Sequence, residues 1–401
     1  MLCKRAATGR QRRRRVAGVA LTLGASWWSP TARAQPLRLR ADAVAETPSP
    51  AGLVVLQGQD DVRPWVSAEA LVWAGAKPDE TADVLVLSAR VREPHGYGEL
   101  RAGRFVLATG AVLPVQIDGI DAIGRAPWGS TIETFGGLPV VPRFGARAYD
   151  WLAGGRVAQT VASRATVGVS YIERRVDGDV SDEEVGADFA AAPARWFDVA
   201  AHGSYDLTSP GISEARAAAA VRFEPWRVEL FASQRSASRL LPATSLFSVL
   251  GDIPSQMVGG TVRWLAAPRL DVLASGAAQS VGGDLGGNGW VRASLRLDDR
   301  GDGNLGLELR RQDVSTAKWS GVRAIGAVPI GRGFRWSTEI EVVAPDHPDG
   351  RGVVWPWGLV ALSWRSRAGW EVAGGLEASS TPAHRYETDA LVRLSRALEI
   401  R

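Results

Sequence analysis

From Val291 to Asp298 the chain reads Val-Arg-Ala-Ser-Leu-Arg-Leu-Asp, apolar at every odd position and polar at every even one, serine counted as polar. That period of two belongs to a β-strand whose two faces meet unlike surroundings. After Asp299, Arg300, Gly301, Asp302 and Gly303, turn-forming residues, the pattern resumes. Leu305, Leu307 and Leu309 fall on one face, Glu308 and Arg310 on the other. The spacing predicts an antiparallel hairpin between Gly289 and Arg310.

The same unit recurs along the chain. Val167, Val169 and Tyr171 alternate with Gly168 and Ser170; Phe197, Val199, Ala201, Gly203 and Tyr205 alternate with Asp198, His202, Ser204 and Asp206. Ala215 to Phe223, Leu270 to Gln279, Phe334 to Val342 and Trp370 to Ala378 repeat it, with Arg222, Asp271, Arg335, Glu339, Glu341, Glu371 and Glu377 on the polar side. Earlier strands are expected near 37–45, 52–58, 64–73 and 83–92, although Val54-Val55-Leu56 and Val84-Leu85-Val86-Leu87 are apolar runs without alternation. No stretch of helical period is long enough to cover the apolar faces, and none has the ~18 consecutive apolar residues of a membrane helix. Repeated two-faced strands with nothing to cover them predict an all-β fold: a transmembrane, antiparallel, up-and-down β-barrel with lipid outside and water within. About 22 strands are expected, within a range of 18 to 22.

Connection lengths predict the orientation, because such barrels carry short periplasmic turns and longer extracellular loops. Long connections are expected at Arg174–Val185, Asp206–Ser213, Ala237–Gln256, Val281–Gly289, Gln312–Trp319, Ala344–Gly352 and Ser379–Tyr386. Short ones alternate with them at Pro193–Arg195, Glu224–Arg227, Ala266–Arg269, Gly331–Gly333 and Ser366–Gly369, with Asp298–Gly303 of medium length. Trp196, Trp226, Trp264, Trp290, Trp336 and Trp370 are read as strand-end residues that set an indole at the membrane–water interface.

The segment Glu99-Leu100-Arg101-Ala102-Gly103-Arg104-Phe105, followed by Val115–Arg125 with Asp118 and Asp121, resembles strand pairs of large Gram-negative outer-membrane barrels. Porin-like and polysaccharide-export barrels are among them. The resemblance covers about 25 residues and implies the fold class.

Charge divides the chain in two. Of the 47 basic residues, eight lie in the first 34 together with none of the 43 acidic ones, so the remainder carries 39 basic groups against 43, a net charge of −4. Nucleic acid is not an expected partner. Residues 1–34 read as a cleaved signal peptide: a basic stretch ending at Arg15, an apolar one from Val16 to Trp28, and Ala32-Arg33-Ala34 before Gln35. Residues 35–401 form the barrel. Cys3 is the single cysteine, so the processed chain carries no thiol, which suits an oxidising periplasm. Expected partners are outer-membrane lipid and the outer-membrane assembly machinery.

Residue chemistry argues against catalysis. His95, His202, His347 and His384 are scattered and lack a second ligand at close spacing, so no metal and no cofactor is expected. The acidic stretches Asp177–Glu184 and Asp346–Gly350 read as solvated loops, and Gly282–Gly287 as a flexible loop, since no helix follows it to cradle phosphate. His202, Ser204 and Asp206 share a strand face, but alternate residues stand ~6.6 Å apart, too far for a triad. What remains is the lumen. Arg216, Arg222, Arg292, Arg296, Glu308, Arg310, Arg335, Glu339, Glu341, Glu371 and Glu377 are the expected lining residues, with Arg101, Asp118, Asp121, Asp198, Glu229, Arg235, Arg263, Asp271 and Arg393 beside them. Mixed signs predict a channel for polar solutes with weak ion preference. Two rival readings are a barrel component of a polysaccharide or other export apparatus, and a surface adhesion or motility barrel. A barrel this wide needs an obstruction, and the long apolar stretch Arg239–Gln256 is the expected one.

Overall fold

The computed structural model describes residues 37–47, 51–63, 65–75, 82–112, 114–140, 150–236, 255–281, 283–315, 317–348, 353–380 and 386–400. The signal-peptide segment and most of Arg239–Gln256 lie outside them. The described residues form strands β1 (Leu37–Thr47), β2 (Ala51–Arg63), β3 (Val66–Gly75), β4 (Ala82–Arg92), β5 (Gly98–Leu107), β6 (Val115–Arg125), β7 (Ser130–Pro139) and β8 (Trp151–Val161). They continue as β9 (Ala165–Val176), β10 (Asp179–Ala194), β11 (Phe197–Asp206), β12 (Gly211–Phe223), β13 (Trp226–Arg235), β14 (Ser255–Ala267) and β15 (Leu270–Val281). The last are β16 (Asp284–Arg296), β17 (Asn304–Val314), β18 (Ala317–Gly331), β19 (Phe334–Pro345), β20 (Trp355–Arg365), β21 (Trp370–Ser379) and β22 (Glu387–Ile400).

Each strand pairs antiparallel with the next, and the sheet closes because β1 also pairs with β22, from Leu37–Ile400 to Thr47–Ala390. Closure answers the constraint that hydrocarbon offers no partner to an edge strand. All 22 strands expected at the upper end of the range are present.

Register decides which residues share a wall. Val291 pairs with Ala274 and Leu309, and Leu309 with Val322, so apolar side chains line up across β15 to β18. Val291, Leu295, Leu305, Leu307, Leu309, Val322 and Ile340 are all exposed. On the opposite wall, ion pairs reach across an intervening strand: Arg310 on β17 meets Glu341 on β19, and Arg156 on β8 meets Asp188 on β10. Within the strands, side chains two strands apart converge most readily on the concave side of a closed sheet. The ionic wall is therefore the inner one and the exposed apolar wall the outer.

Turns connecting even to odd strands are short from β6 to β15, with two to four residues each at β6–β7, β8–β9, β10–β11, β12–β13 and β14–β15. At the other end β7–β8, β13–β14 and β19–β20 are joined by nine to nineteen residues. Three connections expected to be long are instead short because the strands run on: β9 ends at Val176 and β10 starts at Asp179, β15 ends at Val281 and β16 starts at Asp284, and β17 ends at Val314 and β18 starts at Ala317. Asp177 and Gly178 both adopt positive φ, and most of the acidic stretch Asp177–Glu184 is β10. Asp284–Gly287 likewise belongs to β16. Beyond the hydrocarbon both faces of a hairpin meet water, so polar residues continue a strand that an apolar-alternation reading ends too early.

The short-turn end carries an aromatic girdle: Trp65, Tyr97, Trp128, Trp196, Phe334 and Trp336 are exposed, and Trp226 and Trp264 stack at 5.2 Å between centroids. Trp370, also at this end, lies under the Arg396 guanidinium at 4.5 Å. Trp290 departs from the expected strand-end placement. It lies in the middle of β16 on the inner wall, where the Arg292 guanidinium rests 5.3 Å from its ring.

Leu307→Arg places a charge on the outer wall in mid-strand, and its expected cost is about 2–4 kcal/mol. Equilibrium unfolding from lipid vesicles, with Arg310→Leu on the inner wall as the contrasting variant, measures it.

Candidate functional site

Four consecutive strands, β16 to β19, build the densest part of the inner wall. The Leu-Glu-Leu-Arg alternation of β17 sends Glu308 and Arg310 inward. Register places Arg292 directly opposite Glu308, and its Nε donates to Oε2 at 2.5 Å. Arg310 also donates to Glu308 and, through Nη1, to Glu341 at 3.1 Å. Glu308 thus sits between two guanidinium groups with its side chain only 4% exposed. One strand further on, Arg323 donates to Glu339 at 2.6 Å. A planar fork that bonds two neighbours at once suits arginine, and a lysine ammonium would not replace it.

The remaining predicted residues fall into smaller groups. Glu371 joins Arg365, at 2.7 Å, and Arg393. Glu377 accepts from Trp357 Nε1 at 2.5 Å. Arg222 pairs with Asp198 at 2.5 Å, and Arg216 with Glu214, which Arg235 approaches at 3.9 Å. Arg263 meets Asp271 at 2.6 Å, and Arg227 meets Glu229 at 3.0 Å. Arg296 meets no carboxylate among the described residues and donates instead to the Pro268 carbonyl. Arg335 is exposed near the start of β19, and among the described residues no ion pair joins it. Arg101 contacts Ser88 and Glu69 and lies 4.5 Å from the Phe105 ring. Asp121 is on the inner face of β6, opposite Arg101.

Asp118 is a correction. It pairs in register with Arg104 and Leu138, and both Leu138 and its same-face neighbour Ile120 are exposed on the outer wall. Arg104 Nε and Nη2 bind its two carboxylate oxygens at 2.8 Å each. The alternation of β6 had suggested an inward aspartate. Apolar and polar residues mix on both faces of this strand, and only register shows which way Asp118 points.

Asp346, in the connection after β19, receives the Arg311 fork at 2.6 Å, which holds its carboxyl below the ordinary range. Asp346, His347 and Pro348 are exposed, as a solvated loop requires. Asp206 accepts the backbone N–H groups of Thr208 and Ser209 at 2.8 Å each, closing the β11–β12 turn.

An inward element was not foreseen. In the β5–β6 connection, Thr109 to Val112 fold across the inner wall toward β10. Thr109 donates to Glu133 on β7, and Thr109, Ala111 and Val112 are each 5% exposed. Gly110, at φ +54°, lies so close to Arg156 and Asp188 that a Cβ there would stand 2.7 Å from Asp188 Oδ1 and 2.8 Å from Arg156 Cδ. Arg156 and Asp188, bonded at 2.9 Å, lie flat over Gly168 of β9. Ala111 rests on Gly186 of β10 in the same way. Beneath the connection Phe105, Leu107, Val112, Val115, Ile117, Phe135, Leu152 and Ile172 form a buried apolar cluster. The Gly-rich pattern on inward positions of β8 to β10 was the available signal, since a bare backbone admits another chain segment. Arg156, Asp188 and Arg323 were also missed, being single charges in stretches dominated by Gly and Ala.

A closed antiparallel sheet with an apolar, aromatic-rimmed outer wall and an ionic inner wall defines a large β-barrel of the outer-membrane type. No family model and no curated protein matches the sequence. Solved structures resemble its fold. The P pilus usher PapC translocation pore matches over 92% of this chain and 100% of its own, with 9% identity and a TM-score of 0.53. PapC within the Escherichia coli tip assembly intermediate PapC-PapD-PapK-PapG matches over 94% of this chain and 62% of its own, with 9% identity and a TM-score of 0.56. Pseudomonas aeruginosa OccD3 (OpdP) gives 10% identity and a TM-score of 0.45 over 92% of this chain and 91% of its own. At these identities the likeness is one of fold.

Gly168→Leu fills the space under the Arg156–Asp188 pair. It is expected to release the β5–β6 connection, read as faster protease cleavage between residues 108 and 114 while heat-modifiable migration is kept. Glu308→Gln is expected to cost about 1–3 kcal/mol of stability by weakening two charge-assisted hydrogen bonds.

Proposed function

We propose that the barrel is an outer-membrane channel for polar solutes, its passage lined by Arg216, Arg222, Arg292, Arg296, Glu308, Arg310, Arg335, Glu339, Glu341, Glu371 and Glu377. The observation that carries this reading is the division of the strands from β11 to β22 between an exposed apolar wall and a wall of paired Arg and carboxylate groups. Hydrocarbon outside demands the first and water inside permits the second. Pairing of opposite signs leaves a mixed field with no strong charge of one sign. Solutes are then sorted by size and polarity more than by sign. The β5–β6 connection narrows the bore from one side.

The usher likeness is one of fold, and the export reading differs in a measurable way: a partner-gated barrel stays closed alone. Purified chain in a planar bilayer is expected to give discrete conductance steps with weak cation–anion preference. Deleting residues 109–112 is expected to raise the unit conductance, and Glu308→Gln to shift selectivity toward anions. A chain that inserts and stays silent at every potential overturns the channel reading.

A further inference from the structure

Backbone pairing between β4 and β5 runs only from Arg92–Glu99 to Leu87–Arg104. Asp83, Val84 and Val86 on one side and Phe105 to Leu107 on the other are each paired with the far neighbouring strand, yet not with one another. The register of β4 on β3 also slips between Leu71 and Val72, which puts a bulge at Leu85 where the seam begins. Side chains hold the gap instead. Arg104 Nη1 donates to the Val84 carbonyl at 2.8 Å and stands 3.4 Å from Asp83, and Gln116 Nε2 donates to the Leu85 carbonyl at 2.5 Å.

The seam has an apolar surface on each side. Outside it opens a cavity of about 340 Å³ lined by Val84, Leu87, Gly103, Arg104, Asp118 and Gly119, among the exposed residues Leu87, Val106, Ile120 and Leu138. Directly inside are Phe105, Leu107, Val112, Val115 and Ile117, all at or below 5% exposure. A charged pair on the lipid wall is costly, as is backbone there that side chains satisfy in place of a strand partner, Val84 N–H donating to Asp83 Oδ1 at 2.7 Å, unless the site has a use.

We propose that the β4–β5 seam is a lateral portal that admits a single acyl chain from the bilayer to the apolar cluster behind it, with Arg104 and Gln116 as its latch. The occupant follows from position: the cavity opens on the wall that faces hydrocarbon, so the molecule beside it is lipid. The cavity is at the small end of ligand sites, which run from ~300 to ~1,000 Å³, and suits one chain and not a ring system. The proposal rests on the membrane-embedded barrel and not on its conductance. A polar solute uses the bore, whereas an acyl chain enters through the wall.

A long-chain fatty acid carrying a diazirine near its methyl end, in phosphatidylcholine vesicles with the reconstituted mature chain, tests it. After photolysis, label is expected at Val84 and Leu87 and also at Phe105, Leu107 and Val112, while Leu273, inward and remote from the seam, stays unlabelled. Arg104→Leu and, separately, Gln116→Leu are expected to raise the inner labelling several-fold, each variant first checked for heat-modifiable migration. Label confined to outward residues, or inner label unchanged in a folded latch variant, overturns the portal. Conductance of the same preparation separates the two readings: a conducting chain with no inner label keeps the channel and loses the portal, and a silent chain labelled at Phe105 does the reverse.

Discussion

Everything in this molecule follows from the requirement that backbone N–H and C=O groups be paired where no water can reach them. In hydrocarbon an open edge strand would leave a row of such groups bare, each costing several kcal/mol. The pairing of β1 with β22 removes that edge, and the strands between them inherit a fixed inside and outside. A side chain is then apolar or charged according to the wall its position faces, and a shift of one residue in register would exchange the walls.

The inner wall meets a second constraint. Charges facing a confined aqueous space are partly desolvated, and each carboxylate does best beside more than one donor. Glu308 between Arg292 and Arg310, and Glu371 between Arg365 and Arg393, have that arrangement. Arginine serves here because one fork can hold two acids on different strands, as Arg310 holds Glu308 and Glu341. The ladder stiffens the wall and leaves it polar at the same time.

One sector, from β4 to β10, departs from this plan. Beside charged groups such as Arg101 and Asp121 its inner wall carries a buried apolar cluster beneath the β5–β6 connection, and glycines let the Arg156–Asp188 pair and Ala111 lie close to the sheet. The same sector contains the interrupted pairing of β4 with β5 and the outward Arg104–Asp118 pair. An apolar filling on the inside and a backbone gap in the adjoining wall are two sides of one local exchange of strand pairing for side-chain packing.

The sequence by itself determined the fold class, the approximate strand number and most inward charges, because alternation with period two is a local property set by the pleat. Arg292, Glu308 and Glu341 could be assigned a wall from their immediate neighbours alone. Strand ends were less legible at Asp179 and Asp284, where both faces meet water and alternation ceases to report the strand. Only the tertiary structure decided which charges meet, since Arg310 and Glu341 are joined by the curvature of a closed sheet across β18. It also decided the outward turn of Asp118, the inward path of Thr109 to Val112 and the break at Leu87, because register and the route of a connection depend on strands far apart in the chain.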